Sequence, residues 1–166
     1  RDLDLAGDLR LRVRINYWSD HLDAVTEAGL RTNHGSEFVE VGGIKTFTDG
    51  SFGGRTAKIS FEYADGDGRG KWVVPPEELN GLVREADDAG FQVTAHAIGD
   101  EAIEAVLDAY EDVEDAASAR HRIEHSELAT DDQIERMSEL GVVASMQPNF
   151  LKWAHEGGLY DARLGP

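Results

Sequence analysis

No cysteine occurs in these 166 residues, so neither a disulfide nor a thiolate ligand is available. Any metal would have to be held by His, Asp, Glu or a modified Lys. Lysine is nearly as scarce: Lys45, Lys58, Lys71 and Lys152 are the whole complement, and the rest of the basic charge is arginine. With 33 acidic against 16 basic residues the formal net charge is −17. A field of that sign repels nucleic acid and anionic membranes, which removes both as partners. No stretch approaches the roughly 20 apolar residues of a transmembrane helix, and no signal-peptide pattern is visible. The chain opens on Arg1 rather than methionine, so we expect a piece of something longer, whose removed ends would hide such a segment. Carboxylates run through the predicted helices at Asp87-Asp88, Glu111 to Asp115 and Asp131-Asp132 with few lysines among them. That pattern matches a salt-adapted, halophilic cytoplasmic protein; an ordinary acidic surface is the plainer alternative.

A hydrophobic content of 40% suits one globular domain. Apolar and polar positions alternate over 11–18, which predicts a strand, and Ser19-Asp20 then stand as an N-cap for a helix closed by Gly29. A second strand is expected over 38–48. Residues 49–74 have no helical period and many glycines, so they form a long functional excursion. Pro75-Pro76 open a helix whose face is Leu79, Leu82, Val83 and Ala86, with Gly90 as its cap. A strand over 91–98 follows, then a helix capped by Asp100. A strand over 121–128 precedes a helix capped by Thr130, with Ile134, Met137 and Leu140 inward, and a last strand ends at Pro148. Strands joined by short-looped helices indicate βα units and a parallel sheet. No G-x-G-x-x-G follows the first strand, and polar residues close three successive strands, which favours a (βα)8 barrel over a doubly wound sheet. Five strands cannot close it, so two edges are left for a partner, and a homo-oligomer is expected.

The chemistry sits at those strand ends. Lys45 lies in an otherwise apolar strand, where a lysine is costly unless paired, deprotonated or modified. A neutral lysine can take up carbon dioxide to give a carbamate that clamps divalent metals; a buried salt bridge to Asp49 or Asp100 is the alternative. His96 and His125 close strands one βα unit apart, so both imidazoles should aim at one axial point. Imidazole binds zinc well, and a zinc-bound water ionises near neutrality. Asp49, Ser51 and Arg55 either contact substrate or fix the loop, Asp100 is a further candidate there whose plainer role is its helix cap, Gln147 is placed at the same mouth, and Glu124 is expected on the face opposite His125. His121 cannot be placed by spacing alone.

Three segments, GGIKTFTDGSFGGRTA at 42–57, HAIGDEAIEAVLDAYE at 96–111 and RHRIEHSELATDDQIERMSELGVVASMQP at 120–148, resemble successive signature segments of the amidohydrolase superfamily, in its amidohydrolase 3 or YtcJ-like branch. That branch includes N-substituted formamide deformylases and AepA-named regulatory proteins. The resemblance implies α/β architecture as part of a TIM barrel, about strands three to seven. It implies a divalent metal, zinc, as one or two ions, with Lys45 as carboxylated bridge and His96 and His125 as ligands. It further implies hydrolysis of a small amide-type substrate at a carbon–nitrogen bond. The family's first-strand His-x-His pair, its eighth-strand general-base Asp and its β-sandwich have no counterpart in this sequence. The fragment alone is therefore expected to bind metal weakly or not at all and to be inactive, and a non-enzymatic regulatory role on the same fold is the alternative.

Overall fold

The structure is a computed structural model that describes residues 2–165. A short helix α1 (Asp2–Leu5) precedes strand β1 (Val13–Trp18), a 3-10 turn (Ser19–His21) and helix α2 (Leu22–Glu27). Strand β2 (Val39–Phe47), the excursion over 48–75 and helix α3 (Pro76–Asp88) come next, followed by β3 (Val93–Ala97) and α4 (Asp100–Glu111). A one-turn helix α5 (Ala116–Ala119), strand β4 (Arg122–His125), helix α6 (Asp131–Glu139) and strand β5 (Val143–Ser145) follow, and a 3-10 segment (Pro148–Trp153) and helix α7 (Leu159–Leu164) finish the chain.

All five strands are parallel and lie in the sheet in chain order, β1-β2-β3-β4-β5. A doubly wound sheet reverses its strand order at a switch point, whereas barrel strands succeed one another around the axis. The uninterrupted order is therefore that of a partial TIM barrel, as expected, with β1 and β5 as its two edges. Gly42-Gly43 sit where β2 is crowded from both sides. A Cβ on Gly42 would meet the Asn16 amide at 2.2 Å, and one on Gly43 would meet the Gln92 carbonyl at 2.0 Å. The register against β1 also slips at Gly42, since Ile15 is level with Val41 and Asn16 with Gly43.

Period-two alternation sorts the strands into two faces. Ile44, Val93, Ala95, Ala97 and Ile123 are buried in one cluster with Leu79 and Val83 of α3 and Ile103, Val106 and Leu107 of α4. Tyr110 completes that layer, donating its hydroxyl to the Arg122 carbonyl at 2.8 Å. The opposite face carries the polar residues Lys45, Thr94, His96, Arg122 and Glu124, which would line the inside of a barrel. A second small core of Phe52, Ala57, Ile59, Tyr63 and Ile98 ties the excursion down, with Leu128, Tyr160 and Leu164 packed on it.

Capping differs from the expectation in two of three helices. Thr130 does cap α6, in a box with Gln133 that uses both side chains. The residue before α4 is Gly99, and Asp100 is the helix's first residue, its carboxylate accepting from the Ser60 amide at 2.9 Å. Ser19-Asp20 form the 3-10 turn and make no side-chain cap. Ile134 is exposed, because α6 meets α4 through Gln133, which donates to Glu104 and to the Asp100 carbonyl. None of the described helices is long and apolar enough to cross a membrane.

Candidate metal centre

Lys45 sits on β2 with its side chain on the barrel-inner face, and its ammonium nitrogen is buried without a hydrogen-bond partner. Neither Asp49 nor Asp100 pairs with it. The Phe47 ring lies beside it, 4.5 Å from Nζ to the centroid. Burial lowers its pKa to about 8, with Glu124 opposing and Arg122 assisting. A lysine in that range has a usable neutral fraction at neutral pH, the form that reacts with carbon dioxide.

His96 follows from register. It is level with Phe47 on the neighbouring strand, and the two rings stack at 4.6 Å. Its Nε2 lies 2.7 Å from the Gly50 carbonyl. A carbonyl oxygen only accepts, so Nε2 must carry the proton and Nδ1 the lone pair. Nδ1 is buried with no partner. Burial drives the imidazole pKa down to about 4; the Gly50 carbonyl and Glu124 oppose this, and His125 and Lys45 reinforce it. His96 is thus a neutral ring with a buried, free lone pair on Nδ1.

Strict alternation would put His125 with Ile123 on the helix side of β4. The backbone prevents this: φ is +79° at His125 and +50° at Ser126, a conformation that costs a non-glycine residue on the order of 1–3 kcal/mol. The turn swings the imidazole into the mouth, where it meets His96 edge-on with centroids 4.5 Å apart. The His125 Nδ1 lies 2.8 Å from Gln147 Oε1, so in the neutral ring Nδ1 donates to that oxygen and Nε2 carries the lone pair for a ligand. Glu124 lies on the inner face after all: it is level with His96, accepts from Arg122 Nε at 3.0 Å, and its charge acts on both Lys45 and His96. The expectation that it points away from the site fails, because the left-handed turn at His125 makes the two neighbours share a side.

The remaining candidates fix the loop. Asp49 is fully buried and accepts from the amides of Lys58 (2.8 Å), Gly99 (2.9 Å) and Ile98 (3.1 Å). Burial raises its pKa to about 6 against those three hydrogen bonds. Its Oδ1 is 3.5 Å from His96 Nε2, so it steadies the ring from the protonated side. Arg55 forks onto Asp65 at 3.0 Å through Nε and Nη2, an exposed tie within the excursion, and Ser51 accepts from the Gly54 amide at 3.4 Å. Asp100 pins Ser60, as described. His121 lies at the opposite end of the strands, buried under Tyr110 with ring centroids 4.7 Å apart. It accepts from the Val93 amide at 3.0 Å and belongs to the core.

A cavity of about 290 Å³ opens beside the two histidines. Its far walls are Phe52, Phe150, Trp153 and Tyr160, with Glu127 at one side. None of these was singled out in the sequence, because nothing in their local spacing tells that a 3-10 segment and a short helix bring them together.

The chain matches the amidohydrolase family over residues 1–166. It belongs to that family. Among its relatives, the Bacillus subtilis putative amidohydrolase YtcJ is 36% identical over 69% of this chain and 22% of its own length, which places the chain in the YtcJ-like branch. Protein LONG AFTER FAR-RED 3 of Arabidopsis thaliana is 39% identical over 82% of this chain and 24% of its own. Uncharacterized metal-dependent hydrolases from Pyrococcus furiosus and Pyrococcus horikoshii superpose with TM-scores of 0.85 and 0.83, at 34% and 36% identity. They are covered over 34% and 32% of their chains, while 99% and 98% of this one is matched. This amidohydrolase chain therefore spans about a quarter of the curated relatives it matches and about a third of these structures. Among the described residues no three His, Asp or Glu side chains gather closely enough to hold an ion by themselves. The donors that are present suit a divalent metal nonetheless: two imidazoles with committed tautomers and free lone pairs, and one orphaned amine able to become a carboxylate.

Proposed function

We propose that this chain supplies Lys45, His96 and His125 to the metal centre of a hydrolase that cleaves a carbon–nitrogen bond other than a peptide bond. The observation that carries the reading is the buried, unpartnered Lys45 amine on the same face as two imidazoles, each of which has one nitrogen held by a hydrogen bond and leaves the other for a metal. Lysine in a sheet without a partner is a standing cost, and a carbamate on a metal removes it. A bound divalent ion, zinc by preference for this donor set, would supply Lewis acidity toward the substrate carbonyl and acidify a water. The chain's own part is positional. The Gly50 carbonyl and Asp49 hold His96, Gln147 holds His125, and an aromatic wall stands beside them. The first-strand His pair and the general-base Asp of the family are assigned to segments outside these 166 residues, together with the first two strands, the eighth and the β-sandwich. This chain alone is then a weak metal binder and catalytically silent, and its β1 and β5 edges are where the rest of the barrel or a second copy pairs. The similarity to LONG AFTER FAR-RED 3, whose name carries no reaction, favours a second, regulatory reading on the same fold.

Zinc titration by calorimetry, with carbon-13 NMR in labelled bicarbonate, tests the centre. Weak zinc binding that disappears in His96→Asn and His125→Gln, and a carbamate signal that appears with zinc and is absent from Lys45→Met, are expected. Zinc uptake identical in wild type and variants would sink the assignment. Stoichiometric zinc together with amide hydrolysis by this chain would overturn its inactivity.

A further inference from the structure

Beside the centre, the cavity has a chemistry that metal ligation does not explain. Tyr160 stands nearly perpendicular to Phe52, with centroids 5.5 Å apart at 75°, and to Trp153, at 6.4 Å and 67°. Phe150 leans on Trp153 at 4.8 Å. The rings thus meet as the corner of a box and not as a flat stack, and all four line the same partly open cavity. Glu127 lines the same cavity, and the Tyr160 hydroxyl donates to its Oε2. That hydrogen bond holds the carboxylate at the box, and burial with the Glu127 charge raises the phenol pKa, so the hydroxyl remains a donor. His125 forms the wall shared with the centre.

We propose that this box binds an organic cation, a quaternary ammonium or comparably bulky alkylammonium group carried by the substrate. Aromatic faces attract a cation through the ring quadrupole, and they do so most where water is excluded and a carboxylate is near. A neutral apolar group would fill the rings equally well but would offer the Glu127 carboxylate no opposite charge. Trp153 already attracts a cation within the chain, since Lys152 Nζ lies 4.6 Å from its ring centre. The net charge of −17 raises the local concentration of any cation and favours the same class. The word substrate rests on the hydrolase reading; the binding of the cation does not.

Choline and its neutral isostere 3,3-dimethylbutan-1-ol differ in one atom's charge, and both are water-soluble probes. Tryptophan fluorescence and calorimetry on the metal-free chain should give choline a preference of about tenfold or more. The preference should persist at high salt, fall toward unity in Glu127→Gln, and weaken in Tyr160→Phe, with circular dichroism confirming that both variants are folded. Equal binding of the two probes, or no binding of either, overturns the proposal. So does a choline preference that salt abolishes and Glu127→Gln leaves intact, because that is attraction by the surface charge as a whole. Since no metal is added, these results stand whether or not zinc binds at His96 and His125.

Discussion

Two residues carry free energy that a stability-optimised core would not. Lys45 keeps a buried amine without a partner, so Lys45→Met, of similar length and apolar, should stabilise the chain by about 1–3 kcal/mol. Urea denaturation at neutral pH reads this; an unchanged or lower midpoint would mean that Lys45 already has a partner. His121 acts through protonation. Burial lowers its pKa to about 4 from 6.5, so the unfolded state binds the extra proton between those values. Its contribution is complete above pH 6.5 and is lost as pH falls through about 4. Asp87 Oδ1, 3.4 Å from its Nε2, favours the protonated ring and trims the effect, leaving about 2 kcal/mol. Asp49, raised to about 6, contributes the opposite slope in an overlapping window, which is why a comparison of variants is needed. His121→Asn keeps an acceptor for the Val93 amide and does not titrate. It should be less stable at pH 7 and should approach wild type by pH 4, whereas parallel stability curves would show that His121 does not titrate in this way. The lysine and His96 were legible in the sequence because a charged or polar residue in an apolar strand has few explanations. The side of His125 and Glu124 was not, since one positive φ reverses the alternation and leaves no mark on composition.

Elements were legible where periodicity sets them. The strands and the helices α3, α4 and α6 fall within a few residues of the apolar patterns, and the chain order of the sheet follows from short βα connections. What periodicity does not encode is how the excursion over 48–75 returns to the sheet. It returns through backbone contacts: Asp49 gathers the amides of Lys58, Ile98 and Gly99, and Gly99 packs its bare Cα on the Lys58 carbonyl. A Cβ at Gly99 would lie 1.9 Å from that oxygen. Gly99→Ala must therefore push the excursion off the start of α4, at a cost of about 1–3 kcal/mol. Limited proteolysis should then cut first within 49–74, well before the strands are attacked. A variant as resistant as wild type would show that the excursion is held elsewhere, by the small core around Phe52 and Ile59. The 3-10 segment at Pro148–Trp153 and helix α7 also escaped the sequence reading. Pro148 marks the end of a strand plainly, but nothing local says that the chain beyond it folds back over His125.

At the scale of the whole molecule, charge is the dominant unbalanced term. Arg136 gathers Glu104, Asp108 and Glu111, yet one such arginine node neutralises little of a net −17. Most carboxylates repel one another across the surface, and compaction brings them closer than they are in the unfolded chain. Added salt shortens the Debye length from about 10 Å at 0.1 M to about 3 Å at 1 M, and so relieves the folded state more than the unfolded one. The urea midpoint should rise steeply as KCl is added from low concentration, with the denaturant slope unchanged. The shape of the curve separates the causes. Screening levels off by about 1 M, because little range of interaction is then left, whereas a rise that continues in proportion to salt beyond that point reports exclusion of solute from the surface. A midpoint indifferent to KCl would mean that the carboxylates are too far apart to interact, and the acidic composition would then be an ordinary surface and not an adaptation to salt.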